Sequence, residues 1–233
     1  MIYLDGSPAG ILAKRRFLAA LADLVYPAGR TCLWCGRPAA APGLPFCRDC
    51  LAGLVGGGPI EVRGVAAGRA VGAGLYDGAL KEAIHRLKFS GWTFLAPALA
   101  ALLTEAVGST DLWTADVVVP VPLHPKRFIE RGFNQSALLA GGVAGALSTR
   151  LDTEGLRRLR PTESQVGLRP VERSRNVRGA FRTSRPGTFL GRRVLLIDDV
   201  LTTGSTAGDC ARALSDDGAA SVDLAVLAVA PRR

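Results

Sequence analysis

Two acids followed by a short run of small hydroxyl residues are the part of the chain best suited to chemistry. Carboxylates accept hydrogen bonds from the paired hydroxyls of a ribose, and they also hold magnesium ions. A glycine and several hydroxyls at the start of a helix offer backbone N–H groups to an anion. The segment therefore predicts a pocket for a phosphorylated sugar. Its residues are Asp198 and Asp199, the acid pair, and Thr202, Thr203, Gly204, Ser205 and Thr206, the phosphate loop.

Four cysteines in the first quarter of the chain have the spacing of a metal site. Cys32 and Cys35 form one C-x2-C pair, and Cys47 and Cys50 form a second pair. Zinc accepts four thiolates in a tetrahedron, and a site closed by four protein ligands predicts a structural zinc. The alternatives are two disulfides, which suit an oxidising compartment, and an iron–sulfur cluster, whose spacings usually differ. The fifth cysteine, Cys210, is predicted to be a small buried residue on a helix.

The segments around the acid pair predict an α/β fold. Residues 194–197 are aliphatic and too few for a helix, so they predict a buried strand that ends at the acids. The carboxyl ends of parallel strands are where open α/β sheets bind their ligands. A helix is predicted after the phosphate loop and ends near Gly218. Further strands are predicted at 117–121, 156–160 and 221–230, and further helices at 78–89, 95–107 and 132–147.

A basic segment, residues 123–131, follows the predicted strand 117–121. We expect a loop here, because Pro120 and Pro122 mark the end of the strand. Parallel strands would bring this loop to the same sheet edge as the acid pair. Its three cations, Lys126, Arg127 and Arg131, suit a ligand with several negative charges. His124 has two equally good roles, as a donor to that ligand or as the cap of a turn.

Composition agrees with one α/β core and a small second unit. The chain has 233 residues, of which 48% are hydrophobic, and a net charge of +9. We predict residues 1–58 to form an N-terminal helix and a zinc ribbon, and 59–233 to form the α/β domain. The charge favours phosphorylated or nucleic-acid ligands, with a solvated basic surface as the alternative. No apolar run is long enough for a membrane span, and residues 1–25 indicate an amphipathic helix rather than a secretory signal. We therefore expect a cytoplasmic protein.

The order of motifs in the chain resembles that of a known family. The acid pair and phosphate loop resemble the 5-phosphoribosyl-1-pyrophosphate (PRPP) loop of type I phosphoribosyltransferases. The four cysteines, and then three further segments, are similar to the ComF family of competence-associated proteins. These segments are 76–89 (YDGALKEAIHRLKF), 119–135, which contains VPVPLHPKR and RGFNQ, and 165–181, which contains QVGL and NVRGAF.

The resemblance implies a type I phosphoribosyltransferase-like parallel sheet flanked by helices, with an N-terminal zinc ribbon. It implies that the acid pair holds the ribose hydroxyls of PRPP and that the phosphate loop surrounds its 5′-phosphate. The basic segment would then face the pyrophosphate. The polar residues 162–181 would form a hood that excludes water from the site, although a plain solvated loop is the alternative.

The reaction implied by the resemblance is magnesium-dependent transfer of the phosphoribosyl group of PRPP to a nitrogenous acceptor. In it, the acid pair, Lys126 and Arg127 are the catalytic residues. The family also implies a connection with natural competence, so single-stranded DNA and proteins of the competence machinery are candidate partners. The alternatives are a non-catalytic protein that handles single-stranded DNA, and a nucleotide sensor with the same fold.

Overall fold

The computed structural model describes residues 32, 34, 35, 37–40, 46–55, 58–62, 67–159 and 179–231. The predicted N-terminal helix and most of the predicted hood lie outside these residues. The chain divides into two compact units, Met1–Leu54 and Val55–Arg233.

The described part of the smaller unit is built around the cysteines. Helix α1 (Arg48–Val55) begins directly after Cys47 and carries Cys50 in its first turn. Phe46 is buried, and its ring meets the ring of Trp34 edge-on, with 6.3 Å between the centroids. These two aromatic rings supply apolar packing in a segment that has few other large side chains.

The larger unit contains a six-stranded sheet in the order β1-β2-β8-β7-β3-β4. Strand β1 pairs antiparallel with β2, and every other neighbouring pair is parallel. Strands β5 and β6 form a separate antiparallel pair. The predicted α/β class with a parallel sheet is confirmed. The strands are β1 (Ile60–Val62), β2 (Ala70–Leu75), β3 (Val117–Pro120), β4 (Arg150–Leu151), β5 (Leu156–Arg158), β6 (Phe181–Thr183), β7 (Arg193–Leu201) and β8 (Ser221–Val229).

Helices flank the sheet, and most of them lie where the apolar spacing predicts them. The helix predicted at 132–147 begins at Gln135. Asn134 is its N-terminal cap, because the Asn134 side chain accepts a hydrogen bond from the Ser136 N–H. Cys210 is fully buried on α6, as predicted. The helices are α2 (Gly78–Phe89), α3 (Ala96–Gly108), α4 (Pro125–Arg131), α5 (Gln135–Leu147) and α6 (Ser205–Asp216).

The prediction of a loop throughout the basic segment is wrong, because α4 occupies most of it. Pro125 stands in the first turn, where its missing N–H is not needed. The Nδ1 atom of His124 accepts a hydrogen bond from the N–H of Lys126 at 3.2 Å. Gly132 ends the helix with φ +82°. Of the two roles considered for His124, the structure shows the cap.

The acid pair lies inside β7 rather than after its end, which corrects the predicted boundary. Strand β7 pairs with β3 only as far as Ile197, and its pairing with β8 continues to Leu201. Strand β3 stops first because Pro122 has no N–H to donate. The side of β7 that faces β3 is therefore open at Asp198 and Asp199, and a cavity forms there.

Candidate functional site

A cavity of about 260 Å³ lies at the carboxyl end of β7. The acid pair and all five residues of the phosphate loop line it. Lys88 from α2, Ser136 from α5 and Arg158 from β5 also line it. The structure thus places the acids and the hydroxyl-rich loop, both selected from sequence, around one space.

The two carboxylates of the acid pair differ in their surroundings. Asp198 Oδ1 accepts hydrogen bonds from Ser136 Oγ at 3.0 Å and from the Asp199 N–H at 2.9 Å. Asp199 is 4% exposed, and its Oδ2 lies 2.8 Å from Lys88 Nζ. Burial and the charge of Asp199 raise the pKa of Asp198 to about 7, against the opposing effect of Lys88. Two neighbouring acids therefore share a single lysine, an arrangement that suits hydroxyl donors or a cation.

The phosphate loop leads from β7 into α6 with a geometry that suits an anion. Gly204 adopts φ +76° immediately before the helix. The capping residue, Gly204, has no side chain. The Oγ1 of Thr203 lies 2.9 Å from the Oγ of Ser205 and accepts a long hydrogen bond, of 3.5 Å, from the N–H of Ser205. A helix N-terminus carries partial positive charge, and glycine lets a ligand approach the backbone closely. The loop can thus bind a phosphate group with backbone N–H groups and hydroxyls.

The three cations of the basic segment do not all lie at the same cavity. Arg127 and Arg131 line a second cavity, of about 210 Å³, together with Lys88, Phe89, Gly91, Phe133 and one acid, Glu130, so that three cations and one carboxylate face this space. The guanidinium of Arg131 lies 5.2 Å from the centre of the Phe89 ring, and burial lowers the pKa of Arg131. Lys126 is exposed and lines neither of these two cavities. Because Lys88 lines both cavities, it connects the acid pair with the two arginines.

Lys88, Ser136 and Arg158 are site residues that sequence reasoning missed. Lys88 and Ser136 lie on helices whose apolar faces identify the helix but not the role of its polar side chains. Arg158 lies on the short strand β5, opposite Phe181 on β6, and its guanidinium is 5.4 Å from the centre of that ring. The buried Asp209 carboxylate holds the start of β6, because it accepts hydrogen bonds from the N–H groups of residues 179–181.

The four cysteines of the smaller unit converge on one point. Their Sγ atoms all lie within 4.8 Å of one another. The Sγ atoms of Cys35 and Cys47 are 3.6 Å apart, which is too far for a disulfide of about 2.05 Å. Four ligands at about 2.3 Å from a tetrahedral ion would be separated by about 3.8 Å. The spacing therefore fits a shared metal ion.

The charges in this cluster also favour a cation. Arg37 donates a hydrogen bond to Cys35 Sγ at 3.4 Å and lowers the pKa of Cys35 to about 6. Burial, with the neighbouring thiols, raises the pKa of Cys50 to about 12. Backbone N–H groups of Trp34 and Cys50 point to the sulfurs of Cys32 and Cys47. These donors suit thiolates, and a divalent ion would remove the repulsion among them.

None of the helices in the described part of the chain has the length and apolar character that crossing a bilayer requires.

Comparison with known proteins gives relatives along most of the chain. The DNA utilization protein YhgH of Salmonella typhimurium is 38% identical over 197 residues, covering 83% of this chain and 81% of the relative. Competence protein ComFC of Bacillus subtilis is 30% identical over 196 residues, covering 83% and 75%. Competence protein F of Haemophilus influenzae is 33% identical over 156 residues, covering 65% and 68%. A search of protein-family models found no match.

Among solved structures, one described as the structure of the allosteric regulatory enzyme of purine biosynthesis aligns with 57% of this chain and 26% of that chain. The alignment has 24% identity and a TM-score of 0.40, and a likeness this weak carries no conclusion.

Proposed function

We propose that this chain, which belongs to the ComF family of competence-associated proteins, binds PRPP and transfers its phosphoribosyl group to a nitrogenous acceptor. The observation that carries the proposal is the first cavity, which is lined both by the acid pair and by the phosphate loop, with Gly204 at the start of the helix. Hydroxyl-binding acids beside an anion-binding helix end match the two ends of a ribose 5-phosphate.

Each part of PRPP has a matching group in the larger unit. The ribose hydroxyls would bind the acid pair, and the 5′-phosphate would bind the phosphate loop. The diphosphate would enter the second cavity, where Arg127 and Arg131 offer planar, permanently charged guanidinium groups. Lys126 would add its charge from the exposed surface of α4. Lys88 lines both cavities, so a single ligand that extends from one to the other would pass beside it.

Magnesium fits the site, because Asp198 and Asp199 are oxygen ligands of the kind it prefers and they hold more negative charge than Lys88 neutralises. When bound with PRPP, magnesium would neutralise negative charge on the ligand. We propose that the acid pair holds it.

The proposed reaction breaks the bond between the anomeric carbon and the diphosphate oxygen and forms a bond from that carbon to the acceptor nitrogen. The bonding electrons leave with the diphosphate, and the acceptor nitrogen passes its proton to the departing diphosphate or to water. Arg127 and Arg131 stabilise the negative charge that collects on the departing diphosphate. The acid pair orients the ribose by its hydroxyls, so the chain needs no nucleophile of its own.

We propose that the cysteine cluster holds a structural zinc ion. Four protein sulfurs complete a tetrahedral shell and leave no position for a substrate. The ion would stabilise the smaller unit, in which the described residues bury few large apolar side chains.

The second candidate is a non-catalytic protein that handles single-stranded DNA, with nucleotide sensing as a variant that uses the same cavity. It is favoured by the names of the relatives, which refer to DNA utilization and competence, and by the net charge of +9. Phe89 and Phe128 are also 63% and 50% exposed near the arginines of α4, where bases can stack on them.

Pyrophosphate release distinguishes the two candidates. With PRPP, magnesium and a panel of nucleobases, we expect release for at least one base. Arg127→Ala should lower the rate about 100-fold and PRPP affinity much less, because Arg127 acts on charge that develops as the diphosphate leaves. Lys126→Ala should have a smaller effect, since Lys126 lines neither cavity.

The matched control is Arg185→Ala, which removes an exposed arginine that lines neither cavity and should change neither quantity. No release with any base, combined with salt-sensitive binding of single-stranded DNA, would instead support the DNA-handling candidate.

A further inference from the structure

Lys88 is largely buried, pairs with Asp199 and lines both cavities. It stands in the last turn of α2, with its side chain 19% exposed, and it lines both cavities. Its Nζ lies 2.8 Å from Oδ2 of Asp199, whose side chain is 6% exposed. The lysine is thus a cation placed between the proposed sites of the ribose and the diphosphate.

The ion pair with Lys88 occupies Oδ2 of Asp199, one of the carboxylate oxygens that the acid pair offers to a metal ion. Asp198 already accepts hydrogen bonds from Ser136 and from its neighbour's backbone through Oδ1. A divalent cation that binds Oδ2 of Asp199 must therefore displace the ammonium of Lys88 from that oxygen. Displacing a largely buried charge from its partner is unfavourable unless another anion receives it.

The diphosphate is the group that can receive this ammonium. The second cavity, which Lys88 also lines, is the proposed diphosphate site. A lysine has four rotatable side-chain bonds and a compact charge, so its Nζ can turn from one cavity to the other without movement of α2. The two arginines at this cavity would share the diphosphate with it.

We propose that Lys88 is a resident counter-ion of Asp199 that turns to the diphosphate when PRPP binds and so makes metal binding depend on PRPP. This inference rests on the proposed function. It has two consequences: the free chain binds divalent cations weakly, and the site distinguishes PRPP from ribose 5-phosphate through a charge that only the diphosphate attracts.

The test uses Lys88→Met, which keeps the length of the side chain and removes its charge. Calorimetry with Mn²⁺ alone should show binding at least about tenfold tighter than in the parent chain, since no ammonium competes for Asp199. With magnesium present, PRPP affinity should fall at least about tenfold, and ribose 5-phosphate affinity should change less than about threefold. Arg185→Met, which removes an exposed cation that lines neither cavity, should leave all three affinities unchanged.

Lys88→Arg is the conservative variant and keeps a cation beside Asp199. It should bind Mn²⁺ as weakly as the parent and retain PRPP affinity within about fivefold. If Lys88→Met fails to fold in a thermal unfolding check, this variant decides: tight Mn²⁺ binding by Lys88→Arg would overturn the inference.

The outcomes separate this inference from the function on which it rests. A parent chain that does not bind PRPP at all contradicts the proposed function. A parent chain that binds PRPP, with a folded Lys88→Met variant that binds Mn²⁺ and PRPP as the parent does, contradicts the role of Lys88 and leaves the function standing.

Discussion

Replacing Gly204 with alanine is expected to lower PRPP affinity at least about 30-fold while the chain stays folded. Gly204 adopts φ +76° directly before α6, at the point where the backbone must approach the 5′-phosphate. A Cβ at this position would add bulk where the backbone approaches the phosphate and would disfavour the left-handed conformation. The loss should appear in PRPP and ribose 5-phosphate alike, because both carry the 5′-phosphate.

Gly187→Ala is the matched control for this variant. Gly187 has the same φ of +76°, lines neither cavity, and has no atom within 4 Å of the position where a Cβ would lie. Both variants therefore place an alanine in the left-handed backbone conformation, which lowers the free energy of unfolding by about 1 kcal/mol. Calorimetry should show PRPP binding lost only at Gly204. Equal affinities of the two variants would show that the loop is not the phosphate site.

Replacing Cys47 with serine is expected to remove the metal from the smaller unit. The purified parent chain should contain about one zinc ion per chain. A serine hydroxyl at this position is a poor ligand, and three sulfurs do not close the tetrahedron, so zinc content should fall below about 0.1 per chain after dialysis against a chelator. Elemental analysis measures this directly.

Cys210→Ser is the control, because Cys210 is buried on α6 in the larger unit and is not part of the cluster. It should leave the zinc content unchanged. PRPP affinity should be retained in Cys47→Ser, since the cysteines and the cavity belong to different compact units. A parent chain that contains iron, or no metal, would refute the zinc assignment.

Local patterns in the sequence predicted the elements that carry the site. The aliphatic run before the acid pair and the apolar spacing after the phosphate loop are short-range signals, and β7 and α6 follow them closely. Strand β2 was missed because it is rich in alanine and glycine. Its Gly72 is required by packing, since a Cβ there would lie 2.4 Å from the side chain of Val229 on β8.

The missed parts of the site depend on contacts between residues that are distant in the sequence. The pairing of Lys88 with Asp199 joins a helix of one segment to a strand of another, and no local pattern indicates it. The same holds for Arg158, whose place depends on Phe181 of the neighbouring strand. Helix α4 was missed for another reason: a histidine cap, a proline and a closing glycine also occur together in loops.

A calorimetric titration of PRPP into the full chain, with magnesium present, tests the central claim most directly. We predict saturable binding of one PRPP per chain with a dissociation constant in the micromolar range, and clearly weaker binding of ribose 5-phosphate. The absence of PRPP binding, or equal affinity for PRPP and for a phosphorylated sugar that lacks the diphosphate, would contradict the account.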